Sequence, residues 1–274
     1  MLQFSVNEDT CIQCGECVKD CPYGILEMGE EFPAVVADKE GQCIQCQHCM
    51  VICEPGALSI LGIDPADSTP LMGNMPAPAH VETLMMGRRS TRRYKEEPVD
   101  PALIERIMGA VRNAPTGVNN RGTLFTLVED GAAMTQLRNQ TYDGLRKAID
   151  AGTLPAGMEF FEGIANAWDN GVDILYRGAP HFLVVSNATG GPSPEADSLI
   201  ALSYFELLAN SHGLGTVWDG LAKWALTAIA PEAGAMLGIP EDHHIGYMMA
   251  FGVPAVKYHR TVQRPGGTVN RITV

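Results

Sequence analysis

Eight cysteines, all between positions 11 and 53, constrain this chain of 274 residues more than any other feature of its sequence. The first four follow the spacing Cys-x2-Cys-x2-Cys-x3-Cys, and the second four repeat that spacing 32 positions later, from Cys11 to Cys43. The repeat extends beyond the cysteines, since Gly24 recurs as Gly56, so the segment consists of two copies of one unit. The eight residues are Cys11, Cys14, Cys17, Cys21, Cys43, Cys46, Cys49 and Cys53.

Three chemistries use cysteines at short spacings. Disulfides fit poorly, because residues 1–9 show no secretion signal and a chain of 274 residues with 46% apolar composition can build a core without cross-links. A zinc site needs only four ligands with a longer gap between two pairs, and two overlapping runs of four exceed that requirement. Three thiolates two residues apart are instead suited to wrap an iron–sulfur cube while their backbone amides turn towards its sulfides.

Residues 3–62 resemble the bacterial two-cluster ferredoxins. The resemblance implies that the fourth cysteine of each run binds the cluster of the other run. The implied ligand sets are Cys11, Cys14, Cys17 and Cys53 for one [4Fe–4S] cluster, and Cys43, Cys46, Cys49 and Cys21 for the other. The chain departs from the family pattern at Glu54, which follows Cys53 where a proline is usual. We expect this carboxylate to lower the potential of the nearby cluster.

The rest of the chain divides by composition. Residues 64–80 hold four prolines among Gly, Asn, Ser and Asp, which cannot continue a helix or a central strand. We therefore predict a two-cluster domain over 1–62, a linker over 63–81 and a larger domain over 82–274. In the larger domain, helical periodicity covers 101–113, 132–151, 196–212 and 222–237, and apolar strand-like runs cover 124–128, 182–186 and 245–251. This order lacks a βαβ rhythm and predicts an α+β fold.

Several segments of the larger domain carry groups suited to a phosphate-bearing, planar ligand. Three arginines and a serine near position 90 offer bidentate and hydroxyl contacts to a phosphate. A glycine-rich loop before position 220 lets the backbone approach a flat ring closely. Taken alone, the arginines fit a solvated basic face at a helix end better than a phosphate site, and the glycines also fit a helix C-cap. The candidate residues are Arg88, Arg89, Ser90, Arg92, Asn119, Trp218, Asp219, Gly220, Lys257, Arg260 and Arg264.

The order and spacing of these segments resemble the nitroreductase family of FMN enzymes over residues 82–268. The resemblance implies a central, mainly antiparallel sheet flanked by helices and a homodimer with FMN at its interface. It assigns the arginines and serine near position 90 to the phosphate and ribityl chain, and Asn119 to the ring or the ribityl chain. It places an N–H of Asp219 or Gly220 near N5 and O4, with the backbone from Trp218 against the ring. The cations that would close on the phosphate are Arg264 with Lys257 or Arg260.

The family often shows Asn-x-Gln-Pro-Trp, and the chain departs from this pattern because Asn119 is followed by Asn-Arg-Gly-Thr. The added cation, Arg121, would favour a reduced, anionic flavin. Residues 152–177 carry four aromatic residues and no motif, and they fit either core packing or a substrate lid. For His181, which precedes an apolar run, a structural role is expected rather than a catalytic one.

Together these parts predict an oxidoreductase. A low-potential donor such as ferredoxin would feed two clusters, the clusters would feed FMN, and FMN would reduce a small electrophilic acceptor such as a nitro compound or an enone. No catalytic side chain is expected, because flavin N5 carries out the chemistry. The alternatives are an electron relay that serves a protein partner and an NAD(P)H-driven nitroreductase. The sequence contains no Rossmann fingerprint for a nicotinamide nucleotide, but the nitroreductase resemblance implies that nicotinamide can stack on the flavin without one.

The charge and hydropathy of the chain argue against nucleic acid and a membrane as partners. A net charge of −13 without a block of basic residues disfavours nucleic acid, because phosphate neutralisation requires clustered cations. No run of 18 uncharged apolar residues occurs, so no membrane span is expected. We therefore predict a cytoplasmic protein. Because oxygen should bleach the clusters, we also expect an anaerobic source.

Overall fold

The computed structural model describes residues 2–273, which form two compact units. The first unit runs to Pro76 and also takes in Val118–Asn120. The second comprises Ala77–Gly117 and the chain from Arg121 onward. In the described residues, no helix has the length and apolar character needed to cross a membrane.

The first unit repeats a short helical turn and a strand. Each cysteine run contains one helical turn, which begins directly after a residue with left-handed backbone, Gly15 in the first run and Gln47 in the second. The repeat-related residues Leu26 and Leu58 are both buried, so the two copies share one small apolar core. The elements are α1 (Glu16–Lys19), α2 (His48–Val51), β1 (Phe4–Val6) paired antiparallel with β4 (Leu58–Ile60), and β2 (Leu26–Met28) paired antiparallel with β3 (Pro33–Val35).

A four-stranded sheet forms the centre of the second unit. Every neighbouring pair is antiparallel, and the spatial order is β5-β6-β8-β7. The α+β class and the mainly antiparallel central sheet are therefore confirmed. The strands are β5 (Leu124–Val128), β6 (His181–Ala188), β7 (Gly215–Trp218) and β8 (His243–Gly252).

Helices flank this sheet. Two of the longer ones begin with an aspartate whose side chain accepts a backbone N–H of the first turn: Asp100 accepts from Ala102, and Asp130 accepts from Ala133. The helices are α3 (Pro78–Gly87), α4 (Pro101–Val111), α5 (Gly131–Asp150), α6 (Phe161–Asp169), α7 (Pro194–Ser211), α8 (Gly220–Trp224) and α9 (Pro231–Ala235), with a π-helical turn (Ala225–Ile229) between the last two.

The sheet is covered on both faces. Successive residues of a strand point to opposite faces, so Phe182 and Val184 pack in a core with α5 and α6. Leu183 and Val185 pack in a second core with α4 and α7. The continuous apolar run in β6 follows from this double burial.

Two predicted boundaries are wrong for identifiable reasons. The helical pattern over 222–237 is not one helix, because Pro231 has no N–H to continue the hydrogen-bond ladder and Ala230 leaves the helical region at φ −127°. The predicted linker over 63–81 overlaps the start of α3, where Pro78 occupies the first helical position that proline favours. Helix α6 and strand β7 were not predicted.

Candidate functional site

Two cavities in the first unit are each lined by four of the eight cysteines. Their empty volumes are about 370 Å³ for the first cavity and about 340 Å³ for the second. All eight cysteines are unpaired thiols, so the disulfide alternative is wrong for this fold. The first cysteine set is Cys11, Cys14, Cys17 and Cys53, and the second cysteine set is Cys21, Cys43, Cys46 and Cys49. The structure thus brings together the same two sets that the ferredoxin resemblance implied.

The backbone wraps the two cavities in the same way. Gln13 and Gln45 have φ angles of 55° and 56°, and Gly15 and Gln47 have φ angles of 72° and 62°. Left-handed backbone is uncommon for residues other than glycine. Its recurrence at matching positions of both repeats shows that the cysteine spacing imposes one particular turn around each cavity.

The chemistry of the sulfur atoms suits a multinuclear iron–sulfur group. Burial raises the pKa of the Cys49 thiol to about 12, and burial also raises the pKa of Cys17. Such thiols ionise only when a bound cation compensates their charge. Within residues 2–273, no three or more His, Cys, Asp or Glu side chains are grouped around the position of a single metal ion. Four thiols around one cavity match the number of cysteine ligands that a [4Fe–4S] cube takes.

In the second unit, the arginine segment 88–93 lies beside β7. Thr91 N donates to Thr216 O at 2.8 Å, and Ser90 forms a parallel bridge to Thr216. The Thr91 side chain packs against Gly215 so closely that an added Cβ would lie 2.5 Å from Thr91 Oγ1. The structure therefore brings the arginine segment next to the strand that leads into the loop 218–220.

Glu206 of α7 holds one of these arginines. Arg88 Nη1 lies 3.1 Å from Glu206 Oε1, and the carboxylate is almost fully buried. The same oxygen accepts from Thr216 Oγ1 at 3.3 Å, and Thr216 Oγ1 accepts in turn from Asn210 Nδ2 at 3.0 Å. This network fixes Arg88, whereas Arg92 stays exposed. Sequence reasoning missed Glu206, although an acid within the apolar stretch 198–209 of this helix was a usable signal.

The C-terminal segment also runs along the arginine segment. Ala255 N donates to Arg93 O at 2.9 Å, and Tyr258 Oη donates to Ser90 O at 3.4 Å. These contacts flank Lys257 and come within two residues of Arg260. Arg264 is exposed, and it makes no hydrogen bond or ion pair within residues 2–273. Lys257 and Arg260 therefore lie in a segment that contacts the arginine segment, whereas no contact in the described residues places Arg264 beside it.

The loop 218–220 contains a buried carboxyl group. Asp219 is 5% exposed, and its Oδ1 accepts from Ala222 N at 2.9 Å at the start of α8. Its Oδ2 is buried without a hydrogen-bond partner in the described part of the chain. Burial raises the pKa of this carboxyl to about 7, and nearby Asp173 adds to the rise.

The backbone of this loop is only partly available to a ligand. Asp219 N already donates to Met248 O at 2.9 Å, which leaves the N–H of Gly220 as the remaining donor of the two that were predicted. Trp218 packs edge-on against Tyr247, with 5.4 Å between ring centroids. A Cβ on Gly220 would lie 2.8 Å from Tyr247 Oη, so any larger residue here requires the Tyr247 hydroxyl to move. Tyr247 is a further residue that sequence reasoning missed.

Asn119 lies in a strained loop. Val118, Asn119 and Arg121 have φ angles of 47°, 54° and 52°. Asn119 Nδ2 donates to Ile44 O at 2.7 Å, and Ile44 lines the cavity of the second cysteine set. Asn119 thus belongs to the first unit, and its flavin role stays a prediction.

The structure also bears on two further predictions, those for residues 152–177 and for His181. In the segment 152–177, Phe161 and Tyr176 are fully buried and Trp168 stacks on Tyr142 with 4.3 Å between centroids, which favours core packing over a lid. His181 Nε2 accepts from Val99 N at 2.8 Å, and burial lowers the pKa of its imidazole. A neutral histidine in this position has a structural role.

The two units match different protein families. Residues 85–253 match the Nitroreductase family, and residues 3–26 match a 4Fe-4S binding domain. A protein from Thermus thermophilus described as an NADH dehydrogenase is 26% identical over 188 residues, which are 64% of this chain and 86% of that protein.

Solved structures share the fold of the second unit. An FMN-bound nitroreductase from Bacteroides fragilis has 21% identity and a TM-score of 0.56, covering 70% of this chain and 98% of that one. An FMN-bound nitroreductase from Desulfitobacterium hafniense has 23% identity and a TM-score of 0.53, covering 69% and 96%. An iodotyrosine deiodinase bound to FMN and 3-iodo-L-tyrosine has 18% identity and a TM-score of 0.53, covering 71% and 100%.

Proposed function

The chain belongs to the nitroreductase family, and we propose that it passes electrons from a low-potential donor through two [4Fe–4S] clusters to FMN and on to a small electrophilic acceptor. It is an FMN-dependent, nitroreductase-like oxidoreductase that carries a 4Fe–4S domain. The observation that carries the finer proposal is the distribution of eight unpaired cysteines over two cavities with four each. Acceptors with an electron-poor group, such as a nitro compound or an enone, suit hydride transfer from a flavin.

The residues of each unit have separate tasks. When bound, the clusters supply single electrons, and the flavin combines them into a two-electron reduction. Each cysteine set would hold one cluster, with buried thiolates compensated by iron. No side chain needs to act as a nucleophile, so the protein contributes binding, orientation and exclusion of water.

The proposed FMN site uses three groups of the second unit. Ser90, Arg89 and Arg92 would bind the phosphate, because guanidinium and hydroxyl donors match its oxygens. Arg88 would join them from the position in which Glu206 holds it. The second group is the C-terminal cations, and the third is the loop 218–220. The residues are Lys257, Arg260 and Arg264 at the phosphate, and Trp218, Asp219 and Gly220 at the ring, where the Gly220 N–H is the proposed donor.

We also propose a homodimer. Helix α7 buries Leu202 and Phe205 in one core of the second unit. On the same helix, Leu199 and Tyr204 are 43% and 46% exposed, so apolar side chains also face away from that core. A helix that is apolar on both sides normally packs on both sides. A second copy of this chain, as the nitroreductase resemblance implies, would cover the exposed side.

NADH is a second candidate donor. The relative from Thermus thermophilus is described as an NADH dehydrogenase, and its similarity spans 64% of this chain. In that case nicotinamide would reduce the flavin directly. The clusters would then provide a second route by which electrons reach the flavin.

Anaerobic purification followed by reduction tests the proposal. We expect one FMN and about eight iron and eight sulfide per chain. Reduced ferredoxin should bleach the clusters before the flavin, and a nitroaromatic acceptor should then reoxidise both. Absence of FMN, or reduced clusters that leave the flavin oxidised, would overturn the proposal.

A ligand variant separates the two donors. Cys46→Ala should lower the iron content and abolish flavin reduction by ferredoxin. If NADH also serves as a donor, its reduction of the flavin should survive in this variant. Ser5→Ala, an exposed change in the same unit, is the control and should retain wild-type iron content and both activities.

A further inference from the structure

One peptide group beside the second cysteine set is held at both ends. Its N–H, from Gln45, donates to Cys43 Sγ at 3.4 Å. Its carbonyl, from Ile44, accepts from Asn119 Nδ2 at 2.7 Å. A peptide group is planar, so a bond that orients the carbonyl also orients the N–H on the opposite side. The Asn119 amide therefore fixes the direction in which the Gln45 N–H points.

Hydrogen bonds to ligand sulfur atoms influence the reduction potential of an iron–sulfur cluster. An N–H dipole directed at a cysteine sulfur stabilises added negative charge, and so favours the reduced form. A donor bound to the carbonyl of the same peptide polarises that peptide and strengthens its N–H as a donor. Asn119 thus acts on Cys43 through one intervening peptide.

The first repeat provides an internal comparison. Gln13 has nearly the same φ angle as Gln45, 55° against 56°, so the backbone of the two turns matches. Yet the Ile12 side chain is 62% exposed, and within residues 2–273 no side chain donates to the Ile12 carbonyl. The Gln13 N–H likewise makes no hydrogen bond to Cys11 Sγ in that range. The first set has a peptide donor of its own, since Ala57 N donates to Cys53 Sγ at 3.3 Å, but within residues 2–273 no side chain donates to the Gly56 carbonyl of that peptide. The side-chain support that Asn119 gives is therefore specific to the second cysteine set.

The loop that carries Asn119 is strained in a way that suggests a function. A β-branched residue with positive φ, such as Val118 at 47°, is unfavourable, whereas asparagine adopts this region more readily than most residues. Strained backbone persists where neighbouring contacts impose it, and it clusters at functional positions. Here Gly117 N donates to Asp197 Oδ1 at 2.9 Å, and Arg121 N donates to Thr116 Oγ1 at 3.0 Å, which hold the two ends of the loop.

We propose that Asn119 is a positioning residue for the cluster held by the second cysteine set, and that it raises the reduction potential of that cluster. The inference rests on the proposed function, because it requires both clusters. The step concerned is the one-electron reduction of this cluster by the low-potential donor, which loses one electron. Asn119 makes that reduction more favourable without touching a ligand sulfur itself.

Asn119→Gly tests this role with the least change to the backbone. Glycine adopts the left-handed region freely, so the loop is retained while the amide is lost. An anaerobic redox titration followed by electron paramagnetic resonance should give two one-electron waves in the wild type. In the variant, one wave should move to a more negative potential and the other should stay. Iron, sulfide and FMN contents should equal those of the wild type.

Two further measurements sharpen the result. Asn119→Asp replaces the donor by an acceptor of nearly the same shape, and should shift the same wave in the same direction. The hyperfine-shifted β-proton signals of the second cysteine set should move in both variants, while those of the first set stay. Asn113→Gly is the matched control, because the Asn113 amide also donates to backbone carbonyls, those of Gly109 and Ala110, and its loss should leave both waves unchanged.

Three outcomes overturn the inference. Unchanged potentials would show that the Asn119 amide does not influence the cluster. Loss of FMN with unchanged potentials would instead assign Asn119 to the flavin, as the nitroreductase resemblance implied. A shift of both waves would indicate general loosening of the unit. Wild-type protein without iron and sulfide would contradict the proposed function itself, and this is measured before any variant.

Discussion

Asp219 is a residue whose carboxyl group the fold buries with one oxygen unpartnered. Its pKa rises from an ordinary value of 3.8 to about 7, mainly through burial. Between these values the unfolded chain has lost the proton and the folded chain keeps it. The free energy of unfolding therefore falls as pH rises from about 4 to about 7, and levels off above that range.

Asp219→Asn should remove this dependence, because the amide stays neutral. The ionised carboxylate costs the folded state roughly 2–4 kcal/mol at pH 8. Part of the stability that the variant gains at pH 8 is offset, because the amide nitrogen that replaces Oδ2 finds no acceptor for its N–H groups. We expect the fall in Tm between pH 5.5 and pH 8 to shrink by roughly 4–8 °C. Asp130→Asn makes the same exchange at the exposed N-cap of α5 and is the control, because asparagine retains the cap and no buried charge is removed. Equal pH dependence in wild type and Asp219→Asn would contradict the argument.

At the level of elements, the contact between β7 and the arginine segment positions the proposed phosphate site. Gly215→Ala would place a Cβ 2.5 Å from Thr91 Oγ1 and force the segment away from the strand. We expect the affinity for FMN to fall about ten-fold or more, because misplacement of binding groups is costly. The free energy of unfolding should fall by about 1–3 kcal/mol. Fluorescence titration of FMN and urea unfolding measure the two effects.

Gly109→Ala in α4 is the matched control for this change. An added Cβ there meets no atom within 4 Å, and alanine is favoured over glycine in a helix. Its stability should rise by about 0.5–1 kcal/mol, with FMN affinity unchanged. If Gly215→Ala binds FMN as tightly as this control does, the strand contact does not position the site.

At the level of the whole molecule, the proposed dimer makes a prediction about mass. Wild-type protein should sediment at twice the mass of one chain. Placing charges on the exposed side of α7, with Leu199→Asp and Tyr204→Asp together, should weaken the dimer at least about ten-fold, because burying an unpaired charge is unfavourable. FMN content should fall in parallel if both copies shape each flavin site. Asn139→Asp on exposed α5 surface should leave the mass unchanged, and a monomeric wild type would refute the proposal.

Local patterns in the sequence were sufficient for several features of this protein. The cysteine spacing indicated two equivalent turns around sulfur-lined cavities, because neighbouring residues alone determine such a turn. Alternation and helical periodicity located β5 at its observed bounds and α4, α5 and α7 to within two residues, since each buries a continuous stripe or face. The pattern over 222–237 misled because Pro231 outweighed the apolar periodicity.

Other features depend on partners far apart in sequence, and only the tertiary structure decided them. Arg88 and Glu206 are 118 positions apart, and Asn119 and Ile44 are 75 apart. No local propensity couples such residues, because their contact arises only after strands and helices have packed. The short spacing of the cysteines determined by itself that the first three sulfur ligands of each run would gather around one cavity, whereas the fourth ligand of each set comes from the other run. Long-range packing decided which carboxylate holds Arg88, which backbone N–H of the loop 218–220 stays available, and which carbonyl the Asn119 amide meets.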